Sequence, residues 1–190
     1  MAQLDRERVT ERLTLRRFTS GDLDVLADIY SRPEVARYLY WNVRSRDESA
    51  EALRVRVERT SELVDDNIMP IAVVWRSTNE LIGDFMLRWS SDEHRQGEIG
   101  GSVHPDFQGR GVAGEVYREL LVMAFDELSL HRVVGRCDAR NERSIRSLEK
   151  VGFVREAHFV ENEWVKGEWT DEVIVAIRTS TRVRAKGGSR

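Results

Sequence analysis

The sequence predicts a single α+β domain built on a twisted, mostly antiparallel mixed sheet flanked by helices, in the order β-α-α-β-β-β-α-β-α-β-β. Three observations predict it. Strand-like segments follow one another through short turns over residues 71–103, as antiparallel hairpins do. Helical and strand-like segments alternate afterwards, as βα crossovers do. No repeat or linker divides the 190 residues, a length that suits one domain with a sizeable core.

Taken in order, Leu13–Phe18 alternates apolar and polar residues and reads as a strand. Thr19–Tyr30 reads as a short helix with Leu23, Leu26, Ala27 and Tyr30 on one face. Residues 31–44 read as irregular and aromatic-rich, with Pro33, Tyr38, Tyr40 and Trp41. Ser45 and Glu48 have capping-box spacing at the start of a second helix, whose inner stripe is Leu53, Val57, Thr60 and Val64 and whose end is Asp65-Asp66-Asn67. Its Arg54, Arg56 and Arg59 read as a solvated face. Strands at Ile71–Arg76, Leu81–Trp89 and Gly97–Val103 are joined at Thr78-Asn79-Glu80 and Ser90-Ser91-Asp92. A long helix is expected over Gly109–Leu128, a strand over Arg132–Cys137, a helix over Asn141–Val151 capped by Gly152, and closing strands at Phe153–Val160 and Glu172–Ile177. The domain is expected over residues 10–178, and residues 179–190 as a disordered basic tail.

Composition excludes several function classes. The chain is 41% hydrophobic and 33% charged, with net charge -3 and a pI near 5.9, which argues against a nucleic-acid binder. No apolar run of spanning length and no apolar leader region is found, so neither a membrane partner nor secretion is expected. The one cysteine, Cys137, fits a reducing cytoplasm. His94, His104, His131 and His158 show no ligand spacing with each other or with Cys137, and no metal is expected.

The chemistry-bearing segment is Gln108-Gly109-Arg110-Gly111-Val112-Ala113-Gly114. It follows a strand broken at His104-Pro105 and leads straight into a helix. Small residues let backbone N–H groups approach an anion, the helix N-terminus adds unpaired donors, and Arg110 adds a full charge. Glu115, rather than Lys with Ser or Thr, follows the last glycine, which excludes the Walker pattern. The glycine spacing and the late position exclude the dinucleotide fingerprint.

The Gln-x-x-Gly-x-Ala arrangement after an x-Pro turn resembles motif A of the GNAT superfamily of N-acetyltransferases. Glu98-Ile99-Gly100, Asn141-Glu142-Arg143-Ser144 and Glu149-Lys150-Val151-Gly152-Phe153 resemble its RimJ/RimL-like branch, which acetylates protein N-termini. The resemblance implies acetyl-CoA as cosubstrate, its pyrophosphate on Gln108–Gly114 and its pantetheine arm along Val103, His104 and the residues to Phe107. It implies a CoA contact from Asn141, an oxyanion contact from the Val103 N–H, and a homodimer. Glu98 is then the candidate base, and Ser144 the candidate acid or sulfur contact. The tyrosine that many members carry a few residues after Ser144 is replaced by Leu148, and the aromatic often found after Ile-Gly is replaced by Gly101, which is expected to widen the acceptor side. Arg37, Tyr38, Tyr40, Trp41, Trp89 and His94 are candidates for the acceptor groove. Cys137 reads as packing rather than a nucleophile. The acceptor stays open between a peptide N-terminus and a small amine such as an amino sugar, antibiotic or polyamine, and a non-catalytic CoA-binding sensor is the rival reading.

Overall fold

The computed structural model describes residues 7–61, 68–91 and 93–186. Strands β1 (Arg8–Val9) and β2 (Leu13–Arg16) open the chain. A short 3-10 turn (Ser20–Asp22) precedes helices α1 (Leu23–Ser31), α2 (Pro33–Ala36) and α3 (Arg46–Ser61). Strands β3 (Ile68–Trp75), β4 (Glu80–Ser91) and β5 (Gln96–Val103) form a meander. Helix α4 (Val112–Val122) continues as a π-helical turn (Met123–Glu127), followed by β6 (Arg132–Asp138), α5 (Glu142–Glu149), the hairpin β7 (Val154–Val165) and β8 (Glu168–Arg178), and α6 (Thr179–Lys186). The described strands form one eight-stranded sheet in the order β1-β2-β3-β4-β5-β6-β8-β7. Its pairs are antiparallel except β5 with β6, which the α4 crossover makes parallel.

Strand alternation divides the sheet into two buried faces. Ile71, Val73, Phe85, Leu87, Ile99, Val133, Val175 and Ile177 meet α4 and α5 through Val116, Leu120, Ile145 and Leu148. Ala72, Val74 and Leu81 meet α1 and α3 through Leu26, Ile29, Tyr30 and Leu53. The helices dock closely where glycine permits. A Cβ at Gly135 on β6 would stand 2.7 Å from Leu148 Cδ1, so α5 lies directly on that strand.

Ser45 and Glu48 form the expected reciprocal cap of α3, with Ser45 N–H donating to Glu48 Oε2 at 2.7 Å and Glu48 N–H to Ser45 Oγ at 3.2 Å. Arg56, read as solvated, instead turns inward. Its guanidinium donates to Asp84 on β4 at 3.1 and 2.7 Å, and the Tyr30 hydroxyl donates to the same carboxylate. The Arg56 guanidinium also lies over the rings of Phe18 and Tyr30, 5.9 and 5.4 Å from their centroids, so cation–π contact and a charge partner both favour the inward position. Burial beside Asp84 pushes the Tyr30 hydroxyl far above its ordinary pKa, so it remains a donor.

Other differences from the sequence reading have local causes. Helix α4 begins at Val112 rather than at residue 109, because Gly109 and Gly111 hold left-handed φ values of 75° and 79°. Residues 31–44 contain the one-turn helix α2, with Pro33 at its first position. Residues 179–186 of the expected disordered tail form α6, and 187–190 lie outside the described residues. Arg182 holds that helix to Asp126 at 2.6 and 2.9 Å and lies over Phe125, contacts invisible to polarity alone. Val64, Asp65-Asp66-Asn67 and Asp92 lie outside the described residues.

Asp84→Ala removes the carboxylate that satisfies two half-buried donors. It is expected to cost roughly 3 kcal/mol, a fall of about 6–12 °C in melting temperature for a domain of this size. Thermal unfolding followed by circular dichroism, with Asp84→Asn as the milder control, measures it.

Candidate active site

The parallel pair β5–β6 is joined only over Gln96–Glu98 and Arg132–Val134. Both strands run on, to Val103 and Asp138, with their other edges paired to β4 and β8. Past Glu98 and Val134 they therefore part, and a cleft opens in the middle of the sheet. The hydrogen-bond pattern on the far edge shows which groups face it. His104 N–H donates to Ile82 O at 2.8 Å, which makes Gly83 and Val103 a non-hydrogen-bonded antiparallel pair. The N–H groups of Val103 and, two residues earlier, Gly101 are thus turned away from β4 and toward the cleft. This is strand edge without a strand, suited to main-chain bonds from an extended pantetheine arm.

The Gln108–Gly114 segment closes the end of that cleft. Gly109 and Gly111, both left-handed, turn the chain so that the first N–H groups of α4, at Val112, Ala113 and Gly114, have no intrahelical acceptors and face outward as a nest. Gln108 locks the loop to the strand, donating from Nε2 to Val103 O at 3.0 Å while its Oε1 accepts from Arg143 at 2.9 Å. Arg12 braces the other side, donating to Arg110 O at 2.8 Å and to Glu115 at 2.8 and 2.6 Å. Burial alone would raise the Glu115 pKa. Its bonds from Thr10 and Arg12 outweigh that and hold it below the ordinary carboxylate range. Arg110 lies exposed over Phe107, 5.2 Å from the ring centroid. His104 does not offer its side chain to the cleft. Its Nδ1 accepts from Asp106 N–H at 3.2 Å, so Nε2 carries the proton and donates to Asp28 of α1 at 2.7 Å. His104 anchors the strand end rather than lining it.

On the α5 side, Asn141 caps the helix by accepting from Ser144 N–H at 3.2 Å. The half-buried Ser144 hydroxyl accepts from Cys137 Sγ at 3.6 Å, and the Tyr117 hydroxyl of α4 lies beside it. Tyr117 and Cys137 are both buried, and desolvation raises the pKa of each. Leu148 is buried against Gly135 and packs in the core. Tyr117, Arg12 and Arg143 escaped the sequence reading. Arg143 lay inside a quoted motif, and Tyr117 sits on the inner row of α4 with Val116 and Leu120.

The opposite face of β5 and β6 carries a polar cluster. Glu98 is half-buried, and its pKa is raised by burial, opposed by Arg88 and Arg136 and reinforced by Glu172. Glu172 on β8, 1% exposed, accepts from Arg136 at 2.8 and 2.9 Å, from Asn162 at 3.0 Å and from Tyr40 at 3.4 Å. Burial, reinforced by the charges of Glu172 and Glu163, pushes the Tyr40 hydroxyl up to about 12. Glu172 was not singled out in the sequence, because a charged residue in an apolar strand signals nothing until its partners are placed. Lys166 at the tip of the β7–β8 hairpin donates to the carbonyls of Ala36 and Arg37, tying the hairpin to α2 across this face.

Not every aromatic expected here belongs to the groove. Trp89 points to the α4 side and is buried in that core, because it shares parity with Phe85 and Leu87. Trp41 packs on Tyr30, 4.8 Å between centroids, under the guanidinium of Arg44. Arg37 is exposed and stacks on Tyr38. His94 lies exposed in the β4–β5 turn, at the opposite end of β5 from Val103. Gly101 does not widen the acceptor side: a Cβ there would meet the Phe85 ring at 2.5 Å, so the space it leaves on the α4 side is filled by Phe85. Among the described residues no cluster of His, Cys, Asp and Glu is arranged to hold a metal.

Gly111→Val forces a β-branched residue to a φ of 79° and fills the mouth of the nest. The expected outcome is a loss of CoA affinity of at least about tenfold, a 1.4 kcal/mol change, in isothermal titration calorimetry; unchanged affinity would remove the loop from the CoA site.

The acetyltransferase (GNAT) domain model matches residues 12–154. The N-acetyltransferase YnaD of Bacillus subtilis (strain 168) is 30% identical over 168 residues, 88% of this chain and 94% of that protein. An acetyltransferase (GNAT family) structure from Bacillus anthracis superposes with a TM-score of 0.81 at 26% identity, covering 91% of this chain and 98% of that one. Spermidine N-acetyltransferase from Vibrio cholerae in complex with CoA and spermine superposes with a TM-score of 0.76 at 25% identity, covering 92% and 99%. With the parted strands and the glycine loop in the places this fold requires, the chain belongs to the GNAT family of acetyltransferases.

Proposed function

We propose that this acetyltransferase moves the acetyl group of acetyl-CoA directly to a primary amine, with a protein N-terminal α-amine as the leading acceptor. The observation that carries the reading is the open edge of β5. It presents the Val103 N–H to the cleft and, five residues earlier, Glu98 to the acceptor face. An α-amine has a pKa of about 7.7–8.0 against roughly 10.4 for a lysine side chain, so a single carboxylate suffices to take its proton.

In this mechanism Glu98 accepts the amine proton as nitrogen attacks the thioester carbonyl. The Val103 N–H stabilises the oxyanion that forms. As the tetrahedral centre collapses, the C–S bond breaks and the Ser144 hydroxyl donates a hydrogen bond to the sulfur. Cys137 takes no part as a nucleophile, since burial keeps it a thiol. The RimJ/RimL-like motifs at Glu98-Ile99-Gly100 and Asn141–Phe153 support the N-terminal acceptor. A polyamine is the second reading, supported by Glu98, Glu163 and Glu172 on one face and by the likeness to the spermidine enzyme; Arg88 and Arg136 offset that acidity. The exposed Phe159, Val160, Trp164 and Trp169 on and beside the edge strand β7 support a homodimer, and the single thiol supports work in a reducing cytoplasm.

CoA release measured with N-terminal peptides, lysine peptides, amino sugars and polyamines separates the acceptors. Fastest turnover on α-amines supports the first reading, and fastest turnover on polyamines replaces it. Glu98→Gln is expected to lower kcat/KM by about 100-fold or more. The base works only when ionised, so the rate falls as pH drops through a pKa above the ordinary carboxylate value. Arg88→Gln removes a cation that favours the carboxylate, and its acid limb is expected at still higher pH in a pH–rate profile.

A further inference from the structure

We propose that Arg12 is a positioning residue of the donor site: it cancels the charge of Glu115 in the first turn of α4 and so makes that turn fit to hold the pyrophosphate of CoA. The inference rests on the reading of Gln108–Gly114 as the pyrophosphate loop. Two features of that loop oppose each other. The outward N–H groups of Val112, Ala113 and Gly114 and the dipole of α4 favour an anion. The next residue, Glu115, places a carboxylate in the same turn. A Walker loop carries lysine directly after its last glycine, so the sign of the charge is reversed here. The bonds that hold Glu115 below the ordinary carboxylate range keep it ionised at neutral pH. Uncancelled, it would repel the negative charges of a pyrophosphate bound one helical turn away.

Arg12 meets that charge from the turn between β1 and β2, 103 residues away. Its Nε and Nη2 donate to Glu115 Oε2 at 2.8 and 2.6 Å, its main-chain N–H donates to Oε1 at 3.1 Å, and the Thr10 hydroxyl donates to the same oxygen. Both carboxylate oxygens are therefore held by the strand turn. The remaining corner of the guanidinium, Nη1, donates to Arg110 O at 2.8 Å, and Nη2 stands 3.6 Å from the place a Cβ on Gly111 would take. The positive charge thus lies against the loop itself. Its position is also fixed from the sheet. Arg76 N–H donates to Arg12 O at 3.0 Å, and Thr10 N–H donates to Leu13 O at 2.9 Å to close the turn. The Arg12 guanidinium lies over Trp75, 5.7 Å from its centroid, Trp75 packs on Phe107 at 5.3 Å, and Arg110 lies over Phe107 at 5.2 Å. Two cations flank one aromatic pair. Arg12 is committed to Glu115, and the loop keeps the full charge of the exposed Arg110.

The test is a double-mutant cycle on the Kd for CoA, using Arg12→Met, Glu115→Gln and the pair, by isothermal titration calorimetry at rising salt. Arg12→Met leaves a bare carboxylate in the anion turn and is expected to weaken CoA binding about tenfold. Glu115→Gln leaves the cation and is expected to bind CoA at least as tightly as the wild type. The pair, neutral again, is expected to return to within about twofold of the wild type. The spread among the four proteins narrows as salt is added, because screening weakens each interaction. A brace that only stiffens the loop gives a different order, with all three variants weaker than the wild type, the pair no better than Arg12→Met, and the spread unmoved by salt. That order, or wild-type affinity in Arg12→Met, overturns the compensation. If circular dichroism shows Arg12→Met unfolded, Glu115→Gln alone decides, since weaker CoA binding there overturns it. Unchanged CoA affinity in Gly111→Val removes the loop from the CoA site, and the role of Arg12 falls with it. Affinity lost in Gly111→Val but kept in Arg12→Met sinks the compensation alone.

Discussion

The parting of β5 and β6 is the constraint from which the rest of the site follows. Two parallel strands that pair for three residues and then diverge leave main-chain groups with no partner in the sheet. Such groups are costly to bury and ready to bond a ligand. The fold tolerates the parting because each strand is held on its far side, β5 by β4 and β6 by β8, and because α4 and α5 pack one on each lip. The α4 crossover places the anion nest at the end of the cleft, and α5 brings Asn141 and Ser144 to its other wall. In the proposed mechanism, donor binding and the chemistry of the sulfur thus depend on one local failure of pairing.

The two faces of the sheet then serve different ends. On the α4 and α5 side the packing is apolar and close, with glycines at 101 and 135 setting how nearly rings and helices approach. The polar groups there, Tyr117, Ser144 and Cys137, are few and lie close together. On the other side ionic groups gather, and their partners determine what each can do. Glu172 is spent on Arg136, Asn162 and Tyr40. Glu98 lies in the field of Arg88 and Arg136, and burial leaves it a stronger base than an exposed carboxylate. The same logic operates in the helical layer, where Asp84 is committed to Arg56 and Tyr30 and holds α1 and α3 onto β4.

Legibility in the sequence followed the range of the interaction. Hairpins and the capping box at Ser45 and Glu48 depend on residues within a few positions, and they were read from the chain directly. Trp89, Trp41 and His94 were drawn to the groove by their residue types alone. Strand parity sent the first to the core, a neighbouring arginine and tyrosine claimed the second, and the hairpin turn carried the third to the far end of β5. Arg56 and the α6 segment were read as solvated because their partners, Asp84 and Asp126, lie 28 and 56 residues away.

By itself the sequence determined an α+β domain and, through motif resemblance, a GNAT acetyltransferase, with residues 108–114 as the expected anion loop and Glu98 and Ser144 as its proposed centre. These are properties of spacing, local backbone freedom and charge. Only the tertiary structure decided that β5 and β6 separate, that Val103 turns its N–H into the gap, and that Tyr117 and Cys137 meet at Ser144. Each of these joins strands or helices distant in the chain. Their geometry is set by which edges are already paired and which faces are already filled, and neither is a property of any single segment.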